Sequence, residues 1–460
     1  MTRRARRALR FAAACCAYVC APALGPIDAR GEDPPQPVQP RPGLREVWHE
    51  LESDDDRLTH GWFEDEFATG DWGGLRSRLA EHGVVPALAY AADIQGNAAG
   101  GLRKAVRYFQ NIGFDLELDL EKLAGLAGSG FHLSVSSRSG RSLTEDAVGN
   151  VFEVAELCCG PTIRLVNVAF EQQLLNGKLD LAIGRLATGD VFLTSPIYCR
   201  FVNAAFCGNP ASVFFNVPYT AYPTATWGAR ATVRPVPELY VMAGFYNGDP
   251  DLGRNGAHGL DWSWRSGVGN LLSGEVGLVL GQHGKASELP GNFKVGGFWH
   301  TGPFPDLGGS GRTERGNGGF YFLLDQMVYR EAGEGAAQGL TPFVSLLFAP
   351  DDSLSKIPFF VNGGVVYRGL IPGRDADTLN LGVVYGQFSP VQRRAQRVQQ
   401  AAGLPDITVQ SFEMMIELGY ILQLTQWLTV QPDVQYVVQP GGSDALRNAV
   451  VVGAQIAVSF

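Results

Sequence analysis

The chain has 460 residues, of which 58 are glycine, and its formal net charge is −9. The mean hydropathy is −0.01, too low for a bundle of membrane-spanning helices, and apolar residues alternate with polar ones as in strands with two different faces. The acidic balance argues against a nucleic-acid partner.

Residues 1–29 have the features of a signal peptide. The opening "MTRRARRALR" carries five arginines and is followed by the apolar stretch "FAAACCAYVCAPALG". Cleavage is predicted after Ala23 or Ala29, both of which follow small-residue patterns. The alternative is a short membrane anchor, but the apolar run is shorter than the about 20 residues that a spanning helix needs.

Two short regions separate the signal peptide from the strand-rich part. Residues 30–68 are rich in proline and then in acids, so we expect a poorly ordered lead-in. Residues 69–83 are predicted to form a short helix, with Asp71 as its N-terminal cap and Leu75 and Leu79 on one face. Gly83 suits the end of this helix.

From residue 84 onward, apolar residues recur at every second position. In "FDLELDL", from Phe114 to Leu120, apolar and acidic residues alternate at every step. We count about sixteen such segments, most of them roughly nine to twelve residues long, which is the length that a tilted strand needs to cross a bilayer. The sequence predicts an all-β fold, a transmembrane antiparallel β-barrel of about sixteen strands over residues 84–460, preceded by the short helix.

The alternation alone would also fit a soluble secreted β-rich binding domain, whose apolar face points inward. Three features favour the membrane barrel. Acids recur at neighbouring positions of the polar face, as at Asp115 and Glu117, and tryptophans such as Trp227 and Trp299 lie near strand ends. The last strand ends in Phe460, and we expect it to pair with the first strand near residues 84–94 and close the barrel.

Four stretches resemble one known family. They are "GDWGGLRSRLAEHGV" (70–84), "FEQQLLNGKLDLAIGRL" (170–186), "LTQWLTVQPDVQYVVQPGG" (424–442) and the closing "NAVVVGAQIAVSF". In this order and spacing they resemble the carbohydrate-selective porins of the OprB family. The proline-rich lead-in and the cysteines around "ELCCG" and "IYCRFVNAAFCGN" depart from the family pattern.

The resemblance implies a sixteen-stranded barrel in the outer membrane of a Gram-negative bacterium, in contact with its lipids. Sugars of the glucose type would diffuse passively through it, with no cofactor and no catalysis. The alternative is a general small-solute channel of the same fold. Phe460 resembles the C-terminal aromatic residue that the barrel-assembly machinery recognises. The oligomeric state is not predicted.

A long connection after residue 184 is the candidate for a loop folded into the lumen. We expect Arg185, Asp190 and Arg200 to contribute to the pore constriction, although the same segment could lie on the outer surface. Arg185 shares its strand face with Leu181 and Ile183, so either the strand ends before it or a bulge re-aims it. Further residues are predicted to face the lumen and to be candidates for sugar contact: Asp115, Glu117, Glu171, Glu417, Gln431, Asp433 and Gln435.

Four cysteines remain after the signal peptide: Cys158, Cys159, Cys199 and Cys207. In an exported chain they can form disulfides, and Cys158 and Cys159 are expected to pair with other cysteines rather than with each other. A bridge between Cys199 and Cys207, or from either to the adjacent pair, would stiffen the candidate lumen loop. The alternatives are reduced cysteines or a zinc site, but the spacing fits no common zinc pattern.

No motif for catalysis or metal binding is found. The seven histidines form no H-E-x-x-H pattern, and the chain has no G-x-S-x-G elbow. The sequence therefore predicts a channel rather than an enzyme.

Overall fold

The computed structural model describes residues 65–158, 160–265, 267–281, 289–331, 338–405 and 407–460. The predicted signal peptide, nearly all of the lead-in and Cys159 lie outside these residues.

Antiparallel strands make up most of the described chain. They are β1 (Val84–Ala99), β2 (Ala105–Asp119), β3 (Ser129–Gly140), β4 (Thr162–Leu174), β5 (Leu179–Leu186), β6 (Thr226–Val236), β7 (Leu239–Asn247), β8 (Asn270–Leu280), β9 (Gly291–Pro305), β10 (Thr313–Gln326), β11 (Tyr329–Arg330), β12 (Gly339–Phe348), β13 (Phe359–Arg368), β14 (Thr378–Gln387), β15 (Phe412–Gln423), β16 (Leu428–Val438) and β17 (Ala449–Ser459).

The sheet closes on itself because the first strand pairs with the last. Tyr90 of β1 lies opposite Val458 of β17, and β1 pairs with β2 along its other edge. β11 is a two-residue piece beside β12, and β10 pairs directly with β12, so the wall has sixteen strands. The predicted barrel and its closure by the C-terminal strand are both confirmed, and no strand edge is left open.

The two faces of the wall are inverted relative to a soluble protein. Large apolar side chains are exposed on the outside, with Ile163 and Phe320 at 65% and 66% of their full exposure. Carboxylates point inward, and Asp93 and Glu417 are completely buried there. An apolar exterior suits lipid and excludes the alternative of a soluble β-rich domain.

The connections at the two ends of the barrel differ in length. Residues 141–161, 187–225, 248–269 and 388–411 form long connections at one end. The other end holds the tight turns 175–178, 237–238 and 424–427. In bacterial outer-membrane barrels the long connections are extracellular, so the first end is the outer end.

In the described part of the chain, four α-helices lie outside the wall strands: α1 (Leu75–Glu81), α2 (Leu120–Ala124), α3 (Ser212–Asn216) and α4 (Pro390–Ala401). Among the described residues, no helix combines the length and the apolar character required to span a bilayer. The predicted N-terminal helix is confirmed as a 3₁₀ turn at Trp72–Gly74 that continues into α1. The cap position of α1 is Gly74 and not the predicted Asp71, but the Asp71 carboxylate still accepts a hydrogen bond from the Ser77 amide in the first turn, at 2.9 Å.

The segment before β1 is attached to the inner rim of the barrel. The Arg76 guanidinium is buried against the rings of Phe67 and Trp72, at 3.9 and 4.3 Å from their centroids. The Ala68 amide donates to the Ser459 carbonyl at 2.9 Å. Cation–π contacts and this backbone bond therefore hold the segment beside the β1–β17 seam.

Candidate functional site

The connection from residue 187 to 225, called here the inner loop, folds into the barrel. Its Phe192, Tyr198, Phe201 and Phe206 side chains are buried. The rings of Phe201 and Phe206 stack at 4.2 Å and pack against the wall. Burying these aromatics draws the loop onto one side of the lumen.

A wall glycine makes room for these two rings. A Cβ atom on Gly382 of β14 would lie 2.5 Å from Phe206 and 2.7 Å from Phe201. Contacts this short do not occur between packed carbon atoms, so the close approach of the inner loop requires glycine at this position.

Inward carboxylates of the wall bind the backbone of the inner loop. The Glu417 carboxylate accepts hydrogen bonds from the amides of Val202 at 2.7 Å and Asn203 at 3.0 Å. Glu275 of β8 accepts one from the Leu193 amide at 3.1 Å. Each bond satisfies a buried amide that water does not reach, so together they fix the path of the loop.

The connection 141–161, called here the mouth loop, is held in the same way. The Glu413 carboxylate accepts from the amides of Val151 and Phe152 at 2.8 Å. It also accepts from the Gly441 amide at 2.8 Å. One wall carboxylate thereby links two of the outer connections.

Four predicted lumen residues of β15 and β16 point inward but do not reach open water: Glu417, Gln431, Asp433 and Gln435. All four are buried. Gln431 donates to the Arg200 carbonyl at 2.9 Å, and Gln435 donates to the Val154 carbonyl at 2.7 Å. The prediction that they line the water-filled pore is wrong, because the inner and mouth loops cover this side of the wall.

Arg185 is not in the lumen either. Its pairing with Val168 and Trp227 continues the regular register to the end of β5, so neither a strand end nor a bulge re-aims it. The guanidinium stays on the outer side of the wall and donates to the carbonyls of Ala225 at 2.7 Å and Asp261 at 3.3 Å. Its predicted role in the constriction is wrong, because the connection 248–269 folds over it.

Arg200 lies in the inner loop, in the 3₁₀ turn Tyr198–Arg200. Its side chain is half-buried, and its charge is close enough to interact with that of Arg368 at the inner end of β13. This position is inside the barrel, and a direct role in the constriction stays a prediction.

The inner loop contains a disulfide between Cys199 and Cys207. Cys158 is also disulfide-bonded. Within the described ranges, no group of three or more potential metal ligands of the His, Cys, Asp or Glu type is found.

On the inner face of β2 to β6, called here the channel side, charged side chains of opposite sign pair, and Glu171 among them is buried. Asp115 lies 3.0 Å from His132. Arg230 lies 3.4 Å from both Glu171 and Asp180. Glu117 is half-buried on β2, opposite His132 in the register. These residues sit between the inner loop and the inner end of the barrel.

Asp190 belongs to the inner loop and faces the channel side. It accepts a hydrogen bond from Asn167 of β4 at 3.2 Å. Burial raises the pKa of the Asp190 carboxyl from its usual 3.8 to about 6, and the bond from Asn167 opposes part of that rise.

Above the paired charges, three connections meet the wall around a cavity of about 220 Å³. We call this cavity the aperture. β3 and β4 contribute Arg138 and Arg164, and the inner loop contributes Thr224. The other lining residues are Ser136, Gly160, Thr162, Pro223, Gly253 and Asn255.

The two aperture arginines are held differently. Arg138 makes an ion pair with Glu156 of the mouth loop at 2.7 Å and lies over the Tyr222 ring at 5.7 Å. Arg164 donates to Thr224 and, at 2.8 Å, to Asn255. Among the described residues the buried Nε of Arg164 has no hydrogen-bond partner. The aperture therefore combines one arginine that is paired with a carboxylate and one that is bound by neutral side chains.

Sequence reasoning missed both arginines. Arg138 shares its strand face with Ser134 and Ser136 in "SVSSRSG", so the alternation could have identified it as lumen-facing. Arg164 lies between the apolar Ile163 and Leu165, so local alternation also places it on the polar face. The β3–β4 register shift between Leu133 and Val135 interrupts that alternation further along β4.

The raised pKa of Asp190 predicts a pH-dependent stability. The folded barrel binds the Asp190 proton more tightly than the unfolded chain, so this contribution is fully present below pH 4 and is lost as the pH rises through about 6. In Asp190→Asn that dependence should disappear. The difference in free energy of unfolding between wild type and variant, measured in urea and detergent, should change by about 1–2 kcal/mol between pH 4 and pH 7.

Gln400→Ala serves as the control, because Gln400 is exposed on α4 and its side chain does not titrate. Its difference from wild type should stay constant over the same pH range. A constant difference for Asp190→Asn as well would contradict the assigned burial of Asp190.

Known proteins with similar sequences and structures share this architecture. Porin B of Pseudomonas aeruginosa is 31% identical over 418 residues, which cover 85% of this chain and 90% of that protein. The structure of OprB from Pseudomonas putida at high pH superimposes with a TM-score of 0.81 at 27% identity, covering 86% of this chain and 99% of that one.

The family model of the carbohydrate-selective porins matches residues 103–460, which is most of the chain. Together with the sixteen-stranded barrel, this match identifies a passive sugar channel of the Gram-negative outer membrane and not an enzyme. The chain belongs to the OprB family of carbohydrate-selective porins.

Proposed function

We propose that single-ring sugars of the glucose type pass through the aperture one at a time. The observation that carries the proposal is the cavity between Arg138, Arg164 and Thr224. Its volume of about 220 Å³ is smaller than that of pockets for drug-sized ligands. A compact polyol fits such a space better than a chain of several sugar rings.

The chemistry of the lining suits a neutral polyol. Sugar hydroxyls both donate and accept, and the aperture offers guanidinium donors together with the hydroxyl and amide groups of Thr162, Thr224 and Asn255. The carboxylate of Glu156 neutralises the charge of Arg138. The solute is therefore held by hydrogen bonds and does not need to carry a charge. Conduction needs binding of this kind, favourable enough for entry and weak enough for release.

The channel below the aperture continues the same chemistry. Asp115 with His132, and Arg230 with Glu171 and Asp180, present paired charges along one wall. Opposite charges side by side offer hydrogen bonds without a large net attraction for ions. We propose that Asp115 and Glu117 solvate the passing sugar here, while the buried Glu171 and Asp190 hold Arg230 and Asn167 in place beside them.

Replacing Arg164 tests the aperture. Arg164→Gln should raise the glucose concentration that blocks half of the single-channel current by roughly five- to tenfold, since one hydrogen bond to a charged donor contributes about 1.5 kcal/mol. The measurement is current through the purified protein in planar bilayers, titrated with glucose.

Arg103→Gln is the matched control. It removes the same charge from an exposed turn outside the cavity and should leave the block unchanged. If glucose failed to block the wild-type current while a neutral amino acid did, the general small-solute channel would replace the sugar assignment. An unchanged glucose block in Arg164→Gln would contradict the proposed contact between Arg164 and the sugar.

We further propose that the last strand carries the assembly signal and that the outer stripe of β17 contacts membrane lipids. Val452 and Ile456 are exposed on the outside of the wall, at 42% and 41%. Phe460 follows β17, and its amide donates to the Leu88 carbonyl at 2.9 Å. A C-terminal aromatic residue at the inner rim is accessible to periplasmic assembly factors before the barrel closes.

Deletion of Phe460 should therefore reduce insertion in cells more than it reduces function. We expect several-fold less heat-modifiable barrel in isolated outer membranes, with normal conductance of the molecules that do insert. Phe460→Tyr keeps the aromatic ring and should insert normally. Equal insertion of the deletion variant and the wild type would contradict the proposed signal.

A further inference from the structure

Helix α4 (Pro390–Ala401) stands out in an acidic protein because it contains three arginines and no acid. It follows β14 at the outer end of the barrel, and none of its residues is buried. With about 100° of rotation per residue, positions 393, 394 and 397 fall within one arc of about 100°. The helix therefore has one basic face.

The opposite side of α4 is attached to the protein. Ser389 caps the helix by accepting from the Gln392 amide at 3.0 Å. The side chains of Gln392 and Gln396 donate to Gln410 at 2.9 and 3.2 Å, and Gln410 donates to Gly441 at 2.9 Å. The glutamines hold the helix, so the exposed Arg394 and Arg397, with the half-buried Arg393 beside them, are available to a partner outside the chain.

Within the described residues, the side chains of Arg393, Arg394 and Arg397 make no ion pair and no hydrogen bond. Arg394 is exposed, and the neighbouring Val398 is 70% exposed. A basic face that satisfies no internal acid does not contribute to holding the fold together.

The hairpin between β9 and β10 extends this basic surface. A Cβ atom on Gly308 would lie 3.2 Å from Val391 of α4, so the hairpin and the helix are in contact. Arg312 and Arg315 of the same hairpin are exposed. The hairpin also carries two acids: Glu314, which is exposed, and Asp306, which accepts hydrogen bonds from the amides of Gly308 and Ser310, so the basic character of the surface comes mainly from α4.

We propose that α4 and this hairpin form a docking surface for the phosphate groups of a phosphorylated glycolipid in the outer leaflet. Arginine is the side chain best suited to phosphate, because its planar fork donates two parallel hydrogen bonds. Clusters of basic residues at a membrane surface bind anionic headgroups, and the exposed Val398 provides an apolar contact beside them.

The position favours a membrane lipid over an anion in transit through the pore. α4 is outside the lumen, in the outer connection 388–411, whereas the aperture lies between β3, β4 and the inner loop. Arg315 lies opposite Pro303 at the outer end of β10, where the wall meets the headgroup region. Such a contact would fix the outer rim against the leaflet without touching the sugar route.

The test uses the full-length protein in detergent micelles, titrated with bis-phosphorylated lipid A or with the same lipid lacking its phosphates. The wild type should bind the phosphorylated lipid at least tenfold more tightly. Combined replacement of Arg393, Arg394 and Arg397 by Gln should reduce that preference to threefold or less, and replacement by Lys should retain most of it.

The matched control replaces three exposed arginines of other outer connections by Gln: Arg103, Arg141 and Arg254. It removes the same total charge and should keep the preference for the phosphorylated lipid. Equal binding of the two lipids by the wild type, or an unchanged preference in the α4 variant, would overturn the proposal. Displacement of the lipid by inorganic phosphate at the same phosphate concentration would show a site for free anions and would also overturn it.

The glucose block of single-channel current distinguishes this proposal from the sugar route. It should be unchanged in the α4 variant, because the helix is remote from the aperture. A changed block would show that α4 acts on the pore, and the lipid docking surface would then be rejected.

Discussion

The pore depends on hydrogen bonds between inward carboxylates of the wall and backbone amides of the loops that fold into it. Glu417 binds the amides of Val202 and Asn203, Glu275 binds that of Leu193, and Glu413 binds the mouth loop. A loop inside a barrel cannot satisfy its backbone groups by pairing as a strand, and an unpaired buried amide costs about 1–3 kcal/mol. The wall supplies the missing partners.

This anchoring decides where sugars can pass. The inner and mouth loops cover the side of the lumen formed by β14 to β16, and the aromatic rings of Phe201 and Phe206 pack into the space left by Gly382. The sugar route that we propose therefore lies toward β2 to β6, where paired charges line the wall. At its outer end the mouth loop brings Glu156 to Arg138 and the inner loop brings Thr224 to Arg164. The aperture therefore exists because the wall carboxylates hold the inner and mouth loops in these positions.

The alternation of side chains predicted the barrel, its sixteen strands and its closure, because each face of a strand is a local property of the sequence. It also predicted that Glu417 and Gln435 point inward. The loops that cover these two side chains are far away in sequence. The path of such a loop leaves no periodic pattern of apolar residues from which it could be predicted. Arg185 was misassigned because the covering connection 248–269 is equally remote. Arg164 was missed although Ile163 and Leu165 flank it, because the register shift interrupts the alternation between Leu165 and Val168.

The central claim is that wall carboxylates set the pore by holding the inner loop. Single-channel conductance of Glu417→Ala, with glucose titration, tests it most directly, and Glu417→Gln, which keeps one acceptor oxygen, is the companion variant. The account predicts a larger and noisier conductance and a weakened glucose block in Glu417→Ala, with an intermediate result for Glu417→Gln. A conductance and a glucose block equal to those of the wild type would contradict it.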